Sequence, residues 1–196
     1  MPDNHSKTPI YLDHNATTPI DPEALRAMMP FLTEEFGNPS SGYLLGQRAH
    51  EAMDHAREAV AGLLGCRPHE IVFTSGGSES NNFVLKGVVD LTRPQECHII
   101  TSAIEHPAIL NPALFLMELG VKLTILPVDR LGRVDPDDVR KAISPQTVLV
   151  TLMLANNETG ALQPIQEIST IAAERGVPLH TDAAQAVGKI PVDVKD

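Results

Sequence analysis

Short apolar runs alternate with helical patterns along most of this chain, and that alternation limits the fold more than any other feature. Five apolar runs have the length of strands, and they cover residues 71–74, 98–101, 122–128, 147–154 and 177–181. The segments between them carry apolar residues at helical spacing, over residues 78–91, 107–119, 136–143 and 165–175. The alternation predicts an α/β fold with a largely parallel sheet covered by helices on both faces.

The first part of the chain has a different pattern. Residues 10–19 are predicted to be extended and to end in a polar turn. Asp21-Pro22 then marks a helix start, because Asp caps a helix and Pro fits its first position. A longer amphipathic helix is predicted over residues 47–64. The predicted organisation is an N-terminal arm over residues 1–20 and one domain over residues 21–196.

Composition argues against several classes of function. A net charge of −10 does not suit a broad nucleic-acid face, which needs clustered Lys and Arg. No apolar run approaches the roughly 20 residues that span a bilayer, and the first residues lack the apolar core of a signal peptide. Two lone cysteines, Cys66 and Cys97, indicate neither a disulfide framework nor a zinc site. They are predicted to be small core residues in a reducing cytoplasm.

Four polar clusters stand where predicted strands end, at residues 75–78, 103–106, 156–160 and 182–185. Open α/β sheets bind their ligands at the carboxyl ends of the strands. Four clusters at one edge of one sheet are more informative than any one of them alone, and together they predict a ligand site there.

The first cluster lies in Thr74-Ser-Gly-Gly-Ser-Glu79, which joins a strand to a helix. Two glycines let the backbone turn tightly with its N–H groups outward, and the helix start adds partial positive charge. This favours an anion site to which Ser78 adds a hydroxyl, although a glycine turn with a helix cap explains the same residues. No Lys follows the glycines, so the turn is not a nucleotide P-loop.

Histidine and asparagine side chains stand in the next two clusters. His106 precedes a predicted helix, where a neutral imidazole can stack on a flat ring or move protons, or can simply cap the helix. Asn157 follows the most apolar run, where its amide can bind a ring oxygen or a substrate carboxylate. An Asn turn closed by Gly160 is the alternative.

The last cluster holds the carboxylate of Asp182, with Gln185 one helical turn further on. We interpret Asp182 as the partner of the protonated ring nitrogen of a pyridoxal phosphate cofactor. A metal site formed by His180 and Asp182 is the weaker alternative, because no second His or carboxylate pair stands nearby at metal spacing.

Several stretches, taken jointly, resemble one family: Tyr11-Leu-Asp-His-Asn-Ala-Thr-Thr-Pro19, Phe36-Gly-Asn-Pro-Ser-Ser41, Phe73-Thr-Ser-Gly-Gly-Ser-Glu-Ser-Asn81, Glu105-His-Pro107, Ala155-Asn-Asn-Glu-Thr-Gly160 and His180-Thr-Asp-Ala-Ala-Gln-Ala-Val-Gly-Lys189. The chain resembles the cysteine desulfurases of the NifS/IscS type, in class V of the fold-type I pyridoxal phosphate enzymes. The resemblance implies the large domain of that fold, incomplete at its C-terminus.

The resemblance also implies a role for each candidate residue. Gly77 and Ser78 would hold the cofactor phosphate, with Gly76 shaping the turn. His106 would stack on the ring and move protons, and Asn157 would reach the ring oxygen or the substrate. Asp182 would pair with the ring nitrogen, and Gln185 would bind the ring hydroxyl oxygen. A carboxylate beside that nitrogen keeps it protonated, so that the ring can accept electrons from the substrate α-carbon.

The activity that the resemblance implies is conversion of L-cysteine to L-alanine, with sulfur passed to acceptors such as iron–sulfur scaffold proteins, by a homodimer. The alternatives are a selenocysteine lyase, a desulfinase, or a short form that only binds ligands or partners. The family's Schiff-base lysine, sulfur-accepting cysteine and carboxylate-binding arginine are expected beyond residue 196, so residues 1–196 alone are expected to be inactive. Tyr43 replaces the histidine usual in relatives.

Overall fold

The computed structural model describes residues 9–195 of the chain. Residue contacts divide the chain into two units, residues 1–56 and 57–196. The helices are α1 Pro22–Thr33, α2 Leu44–Leu64, α3 Gly77–Gly87, α4 Pro107–Glu118, α5 Pro136–Ala142 and α6 Ile165–Glu174. The strands are β1 His98–Ser102, β2 Lys122–Leu126, β3 Thr147–Thr151 and β4 Leu179–His180. The predicted arm lies partly outside the described residues, and its boundary at residue 20 stays a prediction.

The strands form one parallel sheet in the order β2-β1-β3-β4, which confirms the predicted α/β fold. β1 lies at the centre, and all five of its residues are buried. Its register places Ile100 opposite Thr124 of β2 and Val150 of β3. Only Ile99 and Ile100 of this strand are apolar, and the polar residues His98, Thr101 and Ser102 are buried with them.

Neighbouring residues of β1 belong to two different cores, because successive side chains of a strand point to opposite faces. Ile99 packs with residues of α3 and α4, including Leu85 and Leu116. Ile100 packs with a second cluster that includes Val139 of α5. Helices therefore cover both faces of the sheet, as predicted. Of the two cysteines, Cys97 lies in the first core, whereas Cys66 is only partly buried.

The predicted strand at residues 71–74 is wrong. The segment is not part of the sheet, and Val72 and Phe73 are 67% and 47% exposed. The Arg57 guanidinium lies 5.0 Å from the centre of the Phe73 ring and donates to the Ile71 carbonyl oxygen. Residues with high strand propensity form a strand when a neighbouring strand is there to pair with them. Among the described residues, no strand lies beside this segment, so its propensity alone does not make it a strand.

Other boundaries moved by a few residues. β3 ends at Thr151 and β4 covers only Leu179–His180, so both are shorter than predicted, and α3 ends at Gly87 rather than near residue 91. None of the helices in residues 9–195 has the length and apolar character needed to span a membrane.

Candidate functional site

The loops that follow β1, β3 and β4 are joined by hydrogen bonds at one edge of the sheet. The Met153 N–H, just after β3, donates to Glu105 Oε1 at 2.9 Å, and Asn156 Nδ2 donates to the Ile104 carbonyl oxygen at 3.0 Å. The Leu154 N–H donates to the Asp182 carbonyl oxygen at 2.9 Å. Three of the four predicted polar clusters therefore meet, as the parallel strands require.

The fourth cluster, which we call the glycine turn (residues 75–78), reaches the others through α3. Asn81 lies in the second turn of this helix, is 3% exposed and donates through Nδ2 to Asp182 Oδ2 at 2.8 Å. Ser78 and Asn81 are three residues apart, so they share one face of the helix. Asn81 thus joins the glycine turn to the loop after β4, and sequence reasoning gave it no role.

Asp182 is half-buried and held by two neutral donors. Besides the Asn81 amide at Oδ2, the Ala184 N–H donates to Oδ1 at 3.0 Å. Neither donor neutralises the charge of the carboxylate. Asp182 is therefore oriented and is suited to bind a cationic N–H group.

The glycine turn leaves backbone donors at the start of α3. The first helical bond of α3 runs from the Ser80 N–H to the Gly76 carbonyl oxygen at 3.1 Å, so the N–H groups of residues 77–79 precede the helical ladder. A Cβ added at Gly76 or Gly77 would meet no atom within 4 Å. Glu79 turns back to accept from the Ser75 N–H at 2.6 Å, and hydrogen bonding with the Ser75 side chain and backbone lowers the pKa of Glu79. Donors, open space and the helix dipole together suit a phosphate group.

His106 is the N-cap of α4. Its Nδ1 accepts from the Ala108 N–H at 3.0 Å, while the side chain remains exposed. Because Nδ1 acts as an acceptor, the ring proton must lie on Nε2 whenever this bond is made. The capping role predicted as an alternative is present, and it also fixes the orientation of the ring.

Two adjacent asparagines follow β3 and differ in their contacts. Asn156 is buried, and its Oδ1 accepts from the backbone N–H groups of Glu158 and Thr159 at 3.0 and 2.9 Å. Asn157 is half-buried, and its Nδ2 donates to Glu158 Oε1 at 3.0 Å. The turn to Gly160 is therefore organised by Asn156, not by Asn157 as the alternative reading had it.

Gln185 lies in a short turn after Asp182. The turn is closed by the Ala186 N–H, which donates to the Ala183 carbonyl oxygen at 2.9 Å. Gln185 Oε1 accepts a hydrogen bond from Lys189 Nζ at 2.6 Å. Asp182 and Gln185 were predicted to lie one turn apart on a helix, but the structure has a hydrogen-bonded turn here and no helix.

Glu105 was given no role from sequence. It is 5% exposed, and burial, opposed by its hydrogen bonds, raises its pKa to about 7. His180, weighed above as a metal ligand, shares a 2.8 Å hydrogen bond with Thr151 Oγ1, and burial lowers its pKa against the opposing charge of Asp182. The available signal for Glu105 was an acidic residue in the loop that follows a predicted strand. Within residues 9–195 there is no group of three or more His, Cys, Asp or Glu side chains that could hold a metal ion.

Comparison with known proteins places this geometry in a family. The profile of the family described as Aminotransferase class-V matches residues 10–196. The chain is 51% identical over 190 residues to a cysteine desulfurase IscS of Dictyoglomus turgidum, which covers 97% of this chain and 48% of that protein. It is 48% identical over 186 residues to a cysteine desulfurase IscS of Methanosarcina thermophila, covering 95% of this chain and 46% of that one.

A solved structure titled SspA in complex with cysteine superposes with a TM-score of 0.91 at 42% identity, over 94% of this chain and 53% of that chain. The chain therefore spans about half the length of the relatives that it matches. With nearly all of its residues matched by the family profile, this chain belongs to the class-V aminotransferase family.

Proposed function

We propose that this chain is the cofactor-binding part of a pyridoxal phosphate-dependent cysteine desulfurase, which converts L-cysteine to L-alanine and passes the sulfur to an acceptor. The observation that carries the proposal is Asp182, a carboxylate that accepts from Asn81 Nδ2 at 2.8 Å, while Asn81 lies in the helix that the glycine turn begins. One end of the site is an anion-binding helix start, and the other is a carboxylate that is bonded to neutral N–H donors of the described chain. These two ends suit a ligand that carries both a phosphate and a ring cation.

The phosphate end is formed by Gly76, Gly77 and Ser78. The absence of side chains at the glycines lets an anion approach the backbone, and the space against both of them is open. Ser78 is exposed and can add its hydroxyl to the N–H donors of the helix start.

The ring end is formed by Asp182, with Gln185 assigned to the ring hydroxyl oxygen. When bound, pyridoxal phosphate supplies a protonated ring that accepts the electrons released at the substrate α-carbon. Asp182 keeps the ring nitrogen protonated because a carboxylate favours the charged form of its partner. Asn81 and the Ala184 N–H hold that carboxylate in one orientation.

His106 and Asn157 act on the faces and edges of the bound ring. The bond from the Ala108 N–H to His106 Nδ1 fixes the imidazole plane, which suits stacking. While this bond is made, Nε2 carries the ring proton and can donate it in a hydrogen bond, whereas uptake of a proton at Nδ1 requires the bond from Ala108 to break. Asn157 is assigned to the ring oxygen or to the substrate carboxylate, since Asn156 already forms the turn.

The same proposal includes a homodimer, an iron–sulfur scaffold protein as sulfur acceptor, and a cytoplasmic location. The homodimer and the sulfur acceptor rest on the family resemblance, and the location rests on the two lone cysteines of the sequence. A dimer would be tested by light scattering, and the acceptor by transfer of labelled sulfur to a purified scaffold protein.

The test of the cofactor assignment compares two ligands that differ only in the phosphate. Gly77→Val places a β-branched side chain in open space against the backbone donors. It should weaken pyridoxal phosphate about tenfold or more and leave pyridoxal nearly unchanged. Titration calorimetry with both ligands measures this difference.

Gly87→Val is the matched control, since Gly87 ends the same helix and a Cβ there also meets no atom within 4 Å. It should bind both ligands like the wild type. An equal loss for both ligands in Gly77→Val, or no binding of pyridoxal phosphate by the wild-type chain, contradicts the assignment.

A further inference from the structure

Glu105 is a buried carboxylic acid at the point where two loops of the site meet. Its Oε1 accepts from Ser102 Oγ at 2.6 Å and from the Met153 N–H at 2.9 Å. Ser102 is the last residue of β1, and Met153 follows β3. One oxygen of Glu105 therefore bridges two neighbouring strands at their carboxyl ends.

The adjacent backbone is fixed to the same loop. Asn156 Nδ2 donates to the Ile104 carbonyl oxygen at 3.0 Å, so residues 104 and 105 are both bonded to the segment after β3. His106 follows directly and begins α4 as its N-cap. The hydrogen bonds that fix residues 104 and 105 to the segment after β3 therefore also determine where the imidazole of His106 lies.

We infer that Glu105 is a positioning residue of this site: its buried carboxyl group ties the end of β1 to Met153 and thereby sets where His106 lies. The role of His106 toward the cofactor rests on the proposed function. The bridge made by Glu105 does not, because it joins residues of this chain only.

The second oxygen indicates in which state the bridge is made. Among the described residues, Glu105 Oε2 is buried and has no hydrogen-bond partner. An ionised carboxylate with a buried, unpartnered oxygen is costly, whereas the protonated group can be buried far more readily. Burial raises the pKa of Glu105 to about 7, its bonds with Ser102 and Met153 oppose the rise, and the charge of Asp182 adds to it.

Glu105 and Asp182 therefore form a pair of carboxyl groups with different environments. Asp182 is half-buried and accepts from the Asn81 amide and the Ala184 N–H. Below its pKa of about 7, Glu105 carries a proton and adds no second negative charge to the site. Ionisation of Glu105 would place a second charge beside Asp182 and weaken the bridge that holds His106.

Three forms of the cofactor-free chain test the inference: wild type, Glu105→Gln and Glu105→Ala. The Gln amide keeps an Oε1 acceptor for Ser102 and Met153 and cannot ionise, so it imitates the protonated acid. Glu118→Gln, at the exposed end of α4, is the matched control. Nuclear magnetic resonance follows the Met153 amide and the His106 ring signals from pH 5 to pH 8.5.

In the wild type and the control, the Met153 amide should titrate with a midpoint near pH 7, because the pKa of Glu105 is about 7. In Glu105→Gln it should stay constant, with the His106 ring signals close to those of the wild type at low pH. A Met153 amide that titrates equally in Glu105→Gln overturns the inference. So does a Glu105→Ala variant that folds and leaves the His106 signals and the Ala108 amide unchanged.

A second measurement is the affinity for pyridoxal phosphate at pH 6. Glu105→Ala should bind it about tenfold more weakly than the wild type, while Glu105→Gln should stay within about twofold. Equal loss in both variants overturns the inference. If the wild-type chain binds no pyridoxal phosphate, the proposed function fails and the magnetic resonance comparison alone decides the role of Glu105.

Discussion

At the scale of single residues, Asn81 connects the two ends of the candidate site. It is almost fully buried, and its amide nitrogen lies 2.8 Å from Asp182 Oδ2. Removing one partner of a buried hydrogen bond leaves the other unsatisfied, which costs more than the bond itself contributes. The orientation of Asp182 therefore depends on a helix that lies 101 residues earlier in the chain.

Replacing Asn81 should destabilise the fold and disturb the site. Asn81→Ala is expected to lower the free energy of unfolding by about 1–3 kcal/mol, because Asp182 loses its side-chain donor and a small cavity remains. The matched control is Asn82→Ala, since Asn82 donates to the carbonyl oxygen of the exposed residue Ser78 at 2.9 Å, within its own helix. Urea denaturation measures both variants. Equal losses in the two would show that the Asn81–Asp182 bond contributes nothing specific.

Glu105 should also make stability depend on pH. Its pKa is about 7 in the folded chain against an ordinary value of 4.5. Below pH 4.5 the group is protonated in both states and costs nothing. As pH rises from about 4.5 to 7, the unfolded chain loses the proton first, so stability falls. Above pH 7 the loss is complete, at about 3 kcal/mol.

The difference between Glu105→Gln and the wild type isolates this effect. Burial lowers the pKa of His180 and of His98, and a lowered histidine pKa makes stability rise with pH over the same region. Subtraction removes those contributions because both proteins share them. The stability of Glu105→Gln relative to the wild type should grow steadily between pH 5 and 7. A flat difference curve would mean that Glu105 is not buried as a neutral acid.

At the scale of elements, the turn after β3 contains two adjacent asparagines with different roles: Asn156 stabilises the turn, and Asn157 is proposed to bind ligand. Asn156 makes bonds to Glu158, Thr159 and the Ile104 carbonyl oxygen, and it is buried. Asn156→Ala should therefore cost about 2–4 kcal/mol of stability through loss of a buried network.

Asn157→Ala is the paired comparison, and it should affect ligand affinity more than stability. Asn157 is half-buried, whereas Asn156 is buried, so the loss of stability should be smaller than in Asn156→Ala. If Asn157 reaches the ring oxygen or the substrate, affinity for pyridoxal phosphate or cysteine should fall instead. Thermal unfolding and ligand titration on both variants separate the two cases. A large stability loss in Asn157→Ala with unchanged ligand affinity would reverse the assignment.

The starts of helices could be predicted from sequence where a capping side chain marks them. Asp21 caps α1 through the Glu23 N–H at 2.7 Å, and Asp135 caps α5 in the same way. The run at residues 147–151 was identified because a strand buried on both faces has no polar alternation. The run at residues 71–74 looked similar but is exposed, since propensity cannot say whether a neighbouring strand exists.

The candidate site was predictable where its residues follow strands. His106 and Asp182 could be expected at one edge because parallel strands bring their carboxyl ends together. The glycine turn was predicted there from a strand at residues 71–74 that the described sheet lacks, and Asn81 joins it to that edge instead. Asn81 and Glu105 could not be predicted, because their importance arises from contacts across 101 and 48 residues of chain. Spacing within the sequence carries no information on such pairs. The roles of Asn156 and Asn157 could likewise be distinguished only by their burial in the structure.

At the scale of the whole molecule, the unit of residues 57–196 presents apolar side chains outside its two cores. Val72 and Phe73 lie side by side in an extended segment and are 67% and 47% exposed. This segment has strand-like composition but no place in the described sheet. An extended apolar segment that lies outside the sheet can pair with another chain in the manner of an edge strand.

Residues 1–196 should therefore self-associate as their concentration rises, and the segment at residues 71–74 should contribute to the contact. Val72→Lys introduces a charge that blocks edge pairing and should weaken association about tenfold or more in sedimentation velocity. Leu131→Lys is the control, because Leu131 is 69% exposed but stands alone in a turn, so its replacement should have little effect. Both substitutions change the net charge equally, which separates a local contact from general repulsion. If the two variants weaken association to the same degree, the segment is not the contact, and charge alone accounts for the change.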